Sequence, residues 1–314
     1  MSGTPIIVDT DAGPDDLMAL GYLLAHEGIK VEALTTSYGQ ANTSQGGINL
    51  ACIIAASGCG HIPVYIGRDR PLQFTAAFPE RWRELSNRLP GINLPVAYVP
   101  PEAEPAGQFL RRRLRRASRP VRILALGALT NLAGLNHRSA PALQEIVSMG
   151  GAFTVQGNVT DSSDFVSPTR TAEWNYFVDP LAAHQVLTSD LPVTIVPLDA
   201  TNHVRVTTEF IDEFVHVARS PVGRLTADVL EIIRPYVERG TYYAWDPLAA
   251  VYLSNPEVVR LERSAIAVTL SWPNAGTTRR AATGAKKLIA VDADASTFTR
   301  CFMKPFADQA RTYS

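Results

Sequence analysis

Cysteine is scarce in this chain: Cys52, Cys59 and Cys301 are the only three in 314 residues. The number is odd and no Cys-x-x-Cys spacing occurs, which argues against a disulfide framework or a zinc site; reduced, buried thiols are expected. Long apolar runs are also missing. No stretch is long enough to span a bilayer, and the opening MSGTPIIVDTDAG has neither the basic patch nor the apolar core of a secretory signal. The expectation is a cytoplasmic protein with no membrane partner. An excess of one charge is absent as well. With 29 basic and 30 acidic residues, the net charge is -1, and nothing pulls the chain toward nucleic acid. Repeats and low-complexity linkers do not occur. What is present is an ordinary globular balance, 46% hydrophobic and 19% charged, in a chain long enough to bury a core.

Short β-branched runs alternate with helical patterns. Strands are predicted at residues 6–8, 31–36, 64–66, 121–126, 146–147 and 193–198. Helices are predicted at 17–25, ended by Gly28, at 48–56, and opening near Leu129. Strands that are apolar throughout are buried on both faces, as in a parallel sheet. Right-handed crossovers then give an α/β fold: one doubly wound, mostly parallel sheet flanked by helices, in a single domain over 1–314. The C-terminal third reads as helical, with candidates at 209–217, 225–237 and 247–253. The Pro-rich stretch 74–104 exceeds an ordinary connection and reads as a functional flap or a mobile loop. The basic run 109–119 reads as a solvated helix face, because Phe109 and Leu114 are too few to define a buried stripe.

Ligands in doubly wound folds sit beyond the carboxyl ends of strands. Polar clusters follow three of the predicted ends, at residues 9–16, 35–42 and 199–202. The first, DTDAGPDD, packs Asp9, Asp11, Asp15 and Asp16 into eight residues. Period-two alternation puts Asp9 and Asp11 on one face. Asp15 and Asp16 fall in the first turn of the next helix, whose dipole relieves only about 0.3–1 kcal/mol per charge. A hard divalent cation is the natural remedy. Ca²⁺ accepts carboxylate, carbonyl and water oxygens, and no histidine or cysteine is present to favour zinc.

DTDAGPDDLMAL matches the DxDxGxDDxxAL opening of the inosine-uridine-type nucleoside hydrolases, and the chain resembles that family along nearly its whole length. LGALTN (126–131), SMGGA (148–152), Gly157-Asn158, AEWN (172–175) and WDP (245–247) follow in the family's order. The resemblance implies a Rossmann-like core and Ca²⁺-dependent cleavage of a ribonucleoside N-glycosidic bond. It implies that Asp11, Asp15, Asp16, the Leu126 carbonyl and Asp246 surround Ca²⁺, with Asp11 deprotonating the attacking water. Asp15, Asp16, Asn175 and Asp246 would meet the ribose 2′- and 3′-hydroxyls. Asn158 and Glu173 would hold the 5′-hydroxyl side, and Asp9 would support the cluster from behind. Carboxylates around the sugar suit an oxocarbenium-like transition state.

A histidine precedes the last aspartate in the inosine-uridine branch; here Trp245 stands there. The surrounding GTYYAWDPL, with FPERWR (78–83), TAEWN (171–175) and DATN (199–202), resembles the purine-specific inosine-adenosine-guanosine branch. In that branch two tryptophans sandwich the base, which nominates Trp82 and Trp245. A cationic purine over an indole face gains on the order of 0.5–2 kcal/mol, which favours protonation of the leaving base at N7. Trp174 is a candidate substrate contact, Trp272 reads as structural, and His184 and His203 are left out of the catalytic set. Gln40 or Asn42 stands where the family often has Asn or Asp near the metal. The loop at 159–171 reads as a lid from its composition. A homodimer is a further implication of the resemblance. The competing readings are a broader or pyrimidine-preferring hydrolase, a nucleoside- or ribose-binding protein without turnover, and a haloacid-dehalogenase-like phosphatase. The last fits the Asp15-Asp16 pair poorly.

Overall fold

The computed structural model describes residues 5–116, 118–159 and 167–313. The strands are β1 (Pro5–Thr10), β2 (Lys30–Thr36), β3 (Val64–Tyr65), β4 (Val121–Ala125), β5 (Leu143–Met149), β6 (Val193–Val196), β7 (Val259–Val268), β8 (Thr278–Ala281) and β9 (Lys286–Ala293). Among the described residues they form one sheet in the order β3-β2-β1-β4-β5-β6-β9-β7-β8. From β3 to β9 neighbouring strands run parallel; β7 and β8 close one edge as antiparallel partners.

Each central strand is apolar on both faces. Ile6, Val8, Leu34, Leu124 and Val147 enter one core, while Ile7, Ala33, Ile123 and Ile146 enter the other. That alternation is why these strands read as continuous hydrophobic runs. The first core is covered by α1 (Pro14–Ala25), α2 (Thr43–Ser57), and residues from α8 (Thr208–Val217), α9 (Pro221–Glu238), α10 (Trp245–Tyr252) and α11 (Ala295–Tyr313). The second is covered by α4 (Ala106–Arg116) and α6 (Pro180–Thr188). The remaining helices, α3 (Glu80–Arg88), α5 (Trp174–Val178) and α7 (Leu198–Thr201), lie in the connections.

The three helices expected in the C-terminal third are there as α8, α9 and α10, and the β7–β9 edge is an addition that was not expected. Four expectations change. Residues 74–104 are not all loop, since α3 lies within them. The helix near Leu129 is a single 3-10 turn, Leu129–Asn131. The basic helix α4 does have a buried stripe, because Leu110 joins Phe109 and Leu114 in the core while the arginines ring its outer side. Cys52 is buried but Cys59 is exposed, and neither of them nor Cys301 forms a disulfide. Of the loop at 159–171, residues 160–166 lie outside the described residues. No described helix is long and apolar enough to cross a membrane.

The strand order positions the site. After β1 the chain first builds outward to β2 and β3, then crosses back to β4 on the other side of β1. Crossovers leave in opposite directions there, so the loops after β1 and β4 diverge and open a crevice. Residues 11–13, leading into the first turn of α1, and the Leu126–Gly127 pair form those loops.

Candidate active site

The turn after β1 is built to present carboxylates. Ala12 adopts a left-handed φ of 58°, and Pro14 opens α1 at a position where its missing N–H is no loss. Asp16 accepts from Thr10 Oγ1 (2.5 Å), from the Gly13 N–H (3.0 Å) and from the Asp11 N–H (3.2 Å), so it fixes the turn on which the other carboxylates stand. Asp11 lies against Gly39, where any side chain would occupy the place of its carboxylate.

Asp15, Asp16 and Asp246 each offer an oxygen within 4.8 Å of the others, and all three are buried. Asp246 comes from the first turn of α10. Burial, then repulsion from Asp16, pushes the Asp15 carboxyl up to about 7. Burial followed by Asp16 also raises Asp11 and Asp246 well above the usual carboxylate range. Asp11 Oδ1 and Asp246 Oδ1 have no hydrogen-bond partner among the described residues. Orphaned, buried carboxylate oxygens with no cationic side chain in the cluster are costly on their own. An all-oxygen donor set of this kind fits a hard cation such as Ca²⁺. Asp11 is outside the three-carboxylate group and borders it through Asp16 and Asp15.

Asp9 lies behind this group, with its carboxyl raised by burial and also by Asp16, and with Oδ2 buried and unbonded among the described residues. Its Oδ1 accepts from Thr35 Oγ1 (2.5 Å) and from Asn131 Nδ2 (2.8 Å), and burial holds its carboxyl at about 6. The Gln40 and Asn42 alternatives separate cleanly. The Gln40 N–H donates to Asp11 Oδ2 (2.9 Å) and its Nε2 to Asp15 Oδ1 (3.2 Å). Asn42 instead accepts from Arg83 on α3.

Above the carboxylates lies a cavity of about 620 Å³, lined by Asp15 and Asp246 at one side and by Trp82, Trp174 and Trp245 among its aromatic walls. Asn175 Nδ2 donates to the Leu126 carbonyl (2.8 Å), so these two stand together at the cavity. Glu173 caps α5: Oε1 accepts from the Asn175 N–H (2.8 Å), and Oε2 from the Gly151 N–H (2.9 Å) and the Tyr176 N–H (3.3 Å). Burial outweighs these bonds and sets its carboxyl at about 7. Asn158 Oδ1 accepts from the Trp174 N–H (3.0 Å).

Trp82 stands on α3, edge-on to Trp174 at 5.9 Å. Trp174 is 3% exposed and stacks on Phe78 at 4.8 Å, so much of its surface goes into packing. Trp245 opens α10 and meets Tyr242 edge-on at 4.9 Å. Trp272, expected to be structural, is 57% exposed and lies off the cavity. Among the described residues no histidine lines it.

Sequence reasoning missed two contributors. Asn131 reaches Asp9 across 122 positions, and only its place in LGALTN marked it. Tyr242 lines the cavity beside Trp245, and burial followed by Asp15, Asp246 and Asp16 drives its hydroxyl well above the ordinary phenol value. It lies in GTYYAWDPL, where no sequence pattern distinguishes Tyr242 from Tyr243.

Comparison with known proteins agrees with this architecture. The family described as inosine-uridine preferring nucleoside hydrolase matches residues 6–300. A pyrimidine-specific ribonucleoside hydrolase RihA of Shewanella sp. (strain ANA-3) is 32% identical over 261 residues, covering 80% of this chain and 78% of that one. A RihA of Salmonella agona is 30% identical over 262 residues, with 81% and 80% covered. Among solved structures, the inosine-uridine preferring nucleoside hydrolase of Bacillus anthracis superposes with a TM-score of 0.84 at 23% identity, covering 97% and 99% of the two chains. The purine-preferring ribonucleoside hydrolase of Gardnerella vaginalis gives 0.84 at 24% identity, covering 98% and 100%. At those identities the structures speak for the fold. A family match over nearly the whole chain leaves no room for the binding-protein or phosphatase readings: the chain belongs to the inosine-uridine preferring nucleoside hydrolase family and is an N-glycosyl hydrolase of nucleosides.

Proposed function

We propose that this enzyme hydrolyses purine ribonucleosides to ribose and free base in a Ca²⁺-dependent reaction. The observation that carries the reading is a buried carboxylate cluster beside an aromatic cavity that holds Trp82 and Trp245 and is lined by no described histidine. When bound, Ca²⁺ would supply a grip on vicinal hydroxyls and a more acidic water. Asp15, Asp16, Asp246 and the Leu126 carbonyl are the groups to hold it.

The chain's own residues divide the remaining work. Asp11, whose Oδ1 has no partner, takes the proton of the attacking water. Asp15, Asp16, Asn175 and Asp246 orient the 2′- and 3′-hydroxyls, and Asn158 and Glu173 face the 5′ side. A deoxyribose would leave buried polar groups without partners. The cluster's negative charge stabilises the sugar as positive charge develops at C1′. Trp82 and Trp245 flank the base and favour its N7-protonated form, so that solvent supplies the proton a histidine would otherwise give.

Trp245→Ala removes one stacking face worth on the order of 0.5–2 kcal/mol. The kcat for inosine is therefore expected to fall about 2- to 30-fold, with a smaller change in KM. An unchanged kcat, measured by hypoxanthine release, would remove the tryptophan from the mechanism.

A second reading, a pyrimidine-preferring hydrolase, is favoured by the RihA relatives at 30–32% identity. Initial rates on inosine and uridine under identical conditions separate the two. The tryptophan-walled cavity calls for the higher kcat/KM on inosine, and faster uridine cleavage would replace the purine reading with the pyrimidine one.

A further inference from the structure

Helix α3 carries Trp82 to the cavity wall, and several of its hydrogen bonds go to residues 40–42, which also touch the acidic cluster. Gln40 holds three groups at once. Its N–H donates to Asp11 Oδ2 (2.9 Å), its Nε2 donates to Asp15 Oδ1 (3.2 Å), and its Oε1 accepts from Ser86 Oγ of α3 (3.5 Å). The Ser86 hydroxyl belongs to a fully buried residue. Gly13 leaves room for the Gln40 amide, which a Cβ there would meet at 2.6 Å. The next two residues extend the link. The Ala41 N–H donates to the Asp11 carbonyl (2.9 Å), the Asn42 N–H donates to Asn87 Oδ1 (2.9 Å), and Arg83 Nη2 donates to Asn42 Oδ1 (2.6 Å). Ser86 and Asn87 are bound in turn through their carbonyls by Asn49 Nδ2 of α2 (3.0 and 3.1 Å). Trp82 itself is half-buried, and its ring partners are Trp174 and Phe78.

From this we infer that Gln40 is a positioning residue, coupling the carboxylates that hold the cation to the placement of Trp82 over the substrate base. The inference rests on the cation reading given above. A single amide meets competing demands. A cation held by Asp15 would compete with Gln40 Nε2 for the electron density of that carboxylate. The contact then weakens or shifts, and the Ser86 hydroxyl bonded to the other end of the amide shifts with it. Because Ser86 and Trp82 lie one helical turn apart on a short helix, a displacement at one reaches the other. Asparagine, shorter by one methylene, cannot hold both ends. Filling of the ion site and closing of the aromatic wall thereby become one event.

Calcium titrated into the chelator-stripped full chain tests this, followed in parallel by calorimetry and by tryptophan fluorescence. The Trp82 contribution is the difference between the wild type and Trp82→Phe. In the wild type it should change with the same midpoint as the heat of binding. In Gln40→Asn calcium should still bind within an order of magnitude of wild-type affinity, while the Trp82 change falls by more than half. Ser86→Ala should give the same loss while leaving the contact to Asp15 in place. A merely structural role for Gln40 would alter stability without removing the calcium-linked signal. A Trp82 response that survives in calcium-loaded Gln40→Asn would overturn the coupling, as would a silent Trp82 in calcium-saturated wild type. Absence of calcium binding to the wild type would overturn the cation reading and the coupling together.

Discussion

Asp11→Ala is expected to lower kcat for a ribonucleoside by about 10²–10⁴-fold, the usual contribution of a positioned general base. The fold should survive. Asp11 is a fully buried carboxyl with one partnerless oxygen and acidic neighbours, so its charged form is a liability to the folded chain. The substitution does strand the Gln40 N–H, at a cost of about 1–3 kcal/mol. Removing the desolvated carboxylate works in the opposite direction. In metal-free protein the melting temperature should therefore hold near the wild-type value while turnover collapses. Circular dichroism on heating, beside initial rates of base release, checks both halves. Turnover within a few-fold of wild type would mean that the base is another group.

The second large effect is a pH-dependent stabilisation by calcium. Asp9, Asp15 and Glu173 have carboxyls raised to about 6, 7 and 7 respectively, chiefly by burial. Unfolded, they would titrate near about 4. Between about pH 4 and pH 7 the folded chain therefore keeps protons that the unfolded chain has released, and these groups lose stability as pH rises through that window. Their contribution is complete below the unfolded value and gone above the folded one. A cation that replaces protons at the cluster should be worth little at pH 5 and most at pH 8. At 100-fold above its dissociation constant it adds about 2.7 kcal/mol, or about 5 °C in melting temperature for a chain of this size. Scanning calorimetry with chelator and with excess calcium at both pH values reads this directly. An equal or larger calcium shift at pH 5 would contradict the account.

Much of this molecule could be read in advance because the relevant signals are local. Asp11, Asp15 and Asp16 lie within one loop-to-helix turn, so their density alone announced a charged site. Strands β1, β2, β4, β5 and β6 are apolar along their inner lengths because both faces are covered. The β7 strand was illegible for the opposite reason. Its sequence VRLERSAIAV interleaves charged residues that pair along the strand, as Arg260 does with Glu262, or across it, as Glu262 does with Arg280 of β8. In β9 a lysine hides the strand: Lys287 Nζ donates to the carbonyls of Ser189 (2.8 Å) and Leu191 (2.6 Å), a tertiary arrangement that one sequence cannot disclose. The same limit applies to the site. Gln40 meets Asp15 across 25 positions and Asn131 meets Asp9 across 122, and neither pairing leaves a periodic trace. In α4 the stripe is short, and Leu110, flanked by arginines in sequence, completes it with Phe109 and Leu114 only when the helix packs.

The antiparallel rim has a bearing on how copies of the chain meet. Strand β8 has β7 as its sheet partner, so its outer row of amides and carbonyls is the side on which a further strand could add. Such rims can template the joining of one chain to another. Here the rim is four residues long, and Arg279 and Arg280 are exposed on it. With so few backbone groups to gain, and with the Arg279 charge to bring close to its like while Arg280 is held by Glu262, the rim discourages growth of the sheet from molecule to molecule.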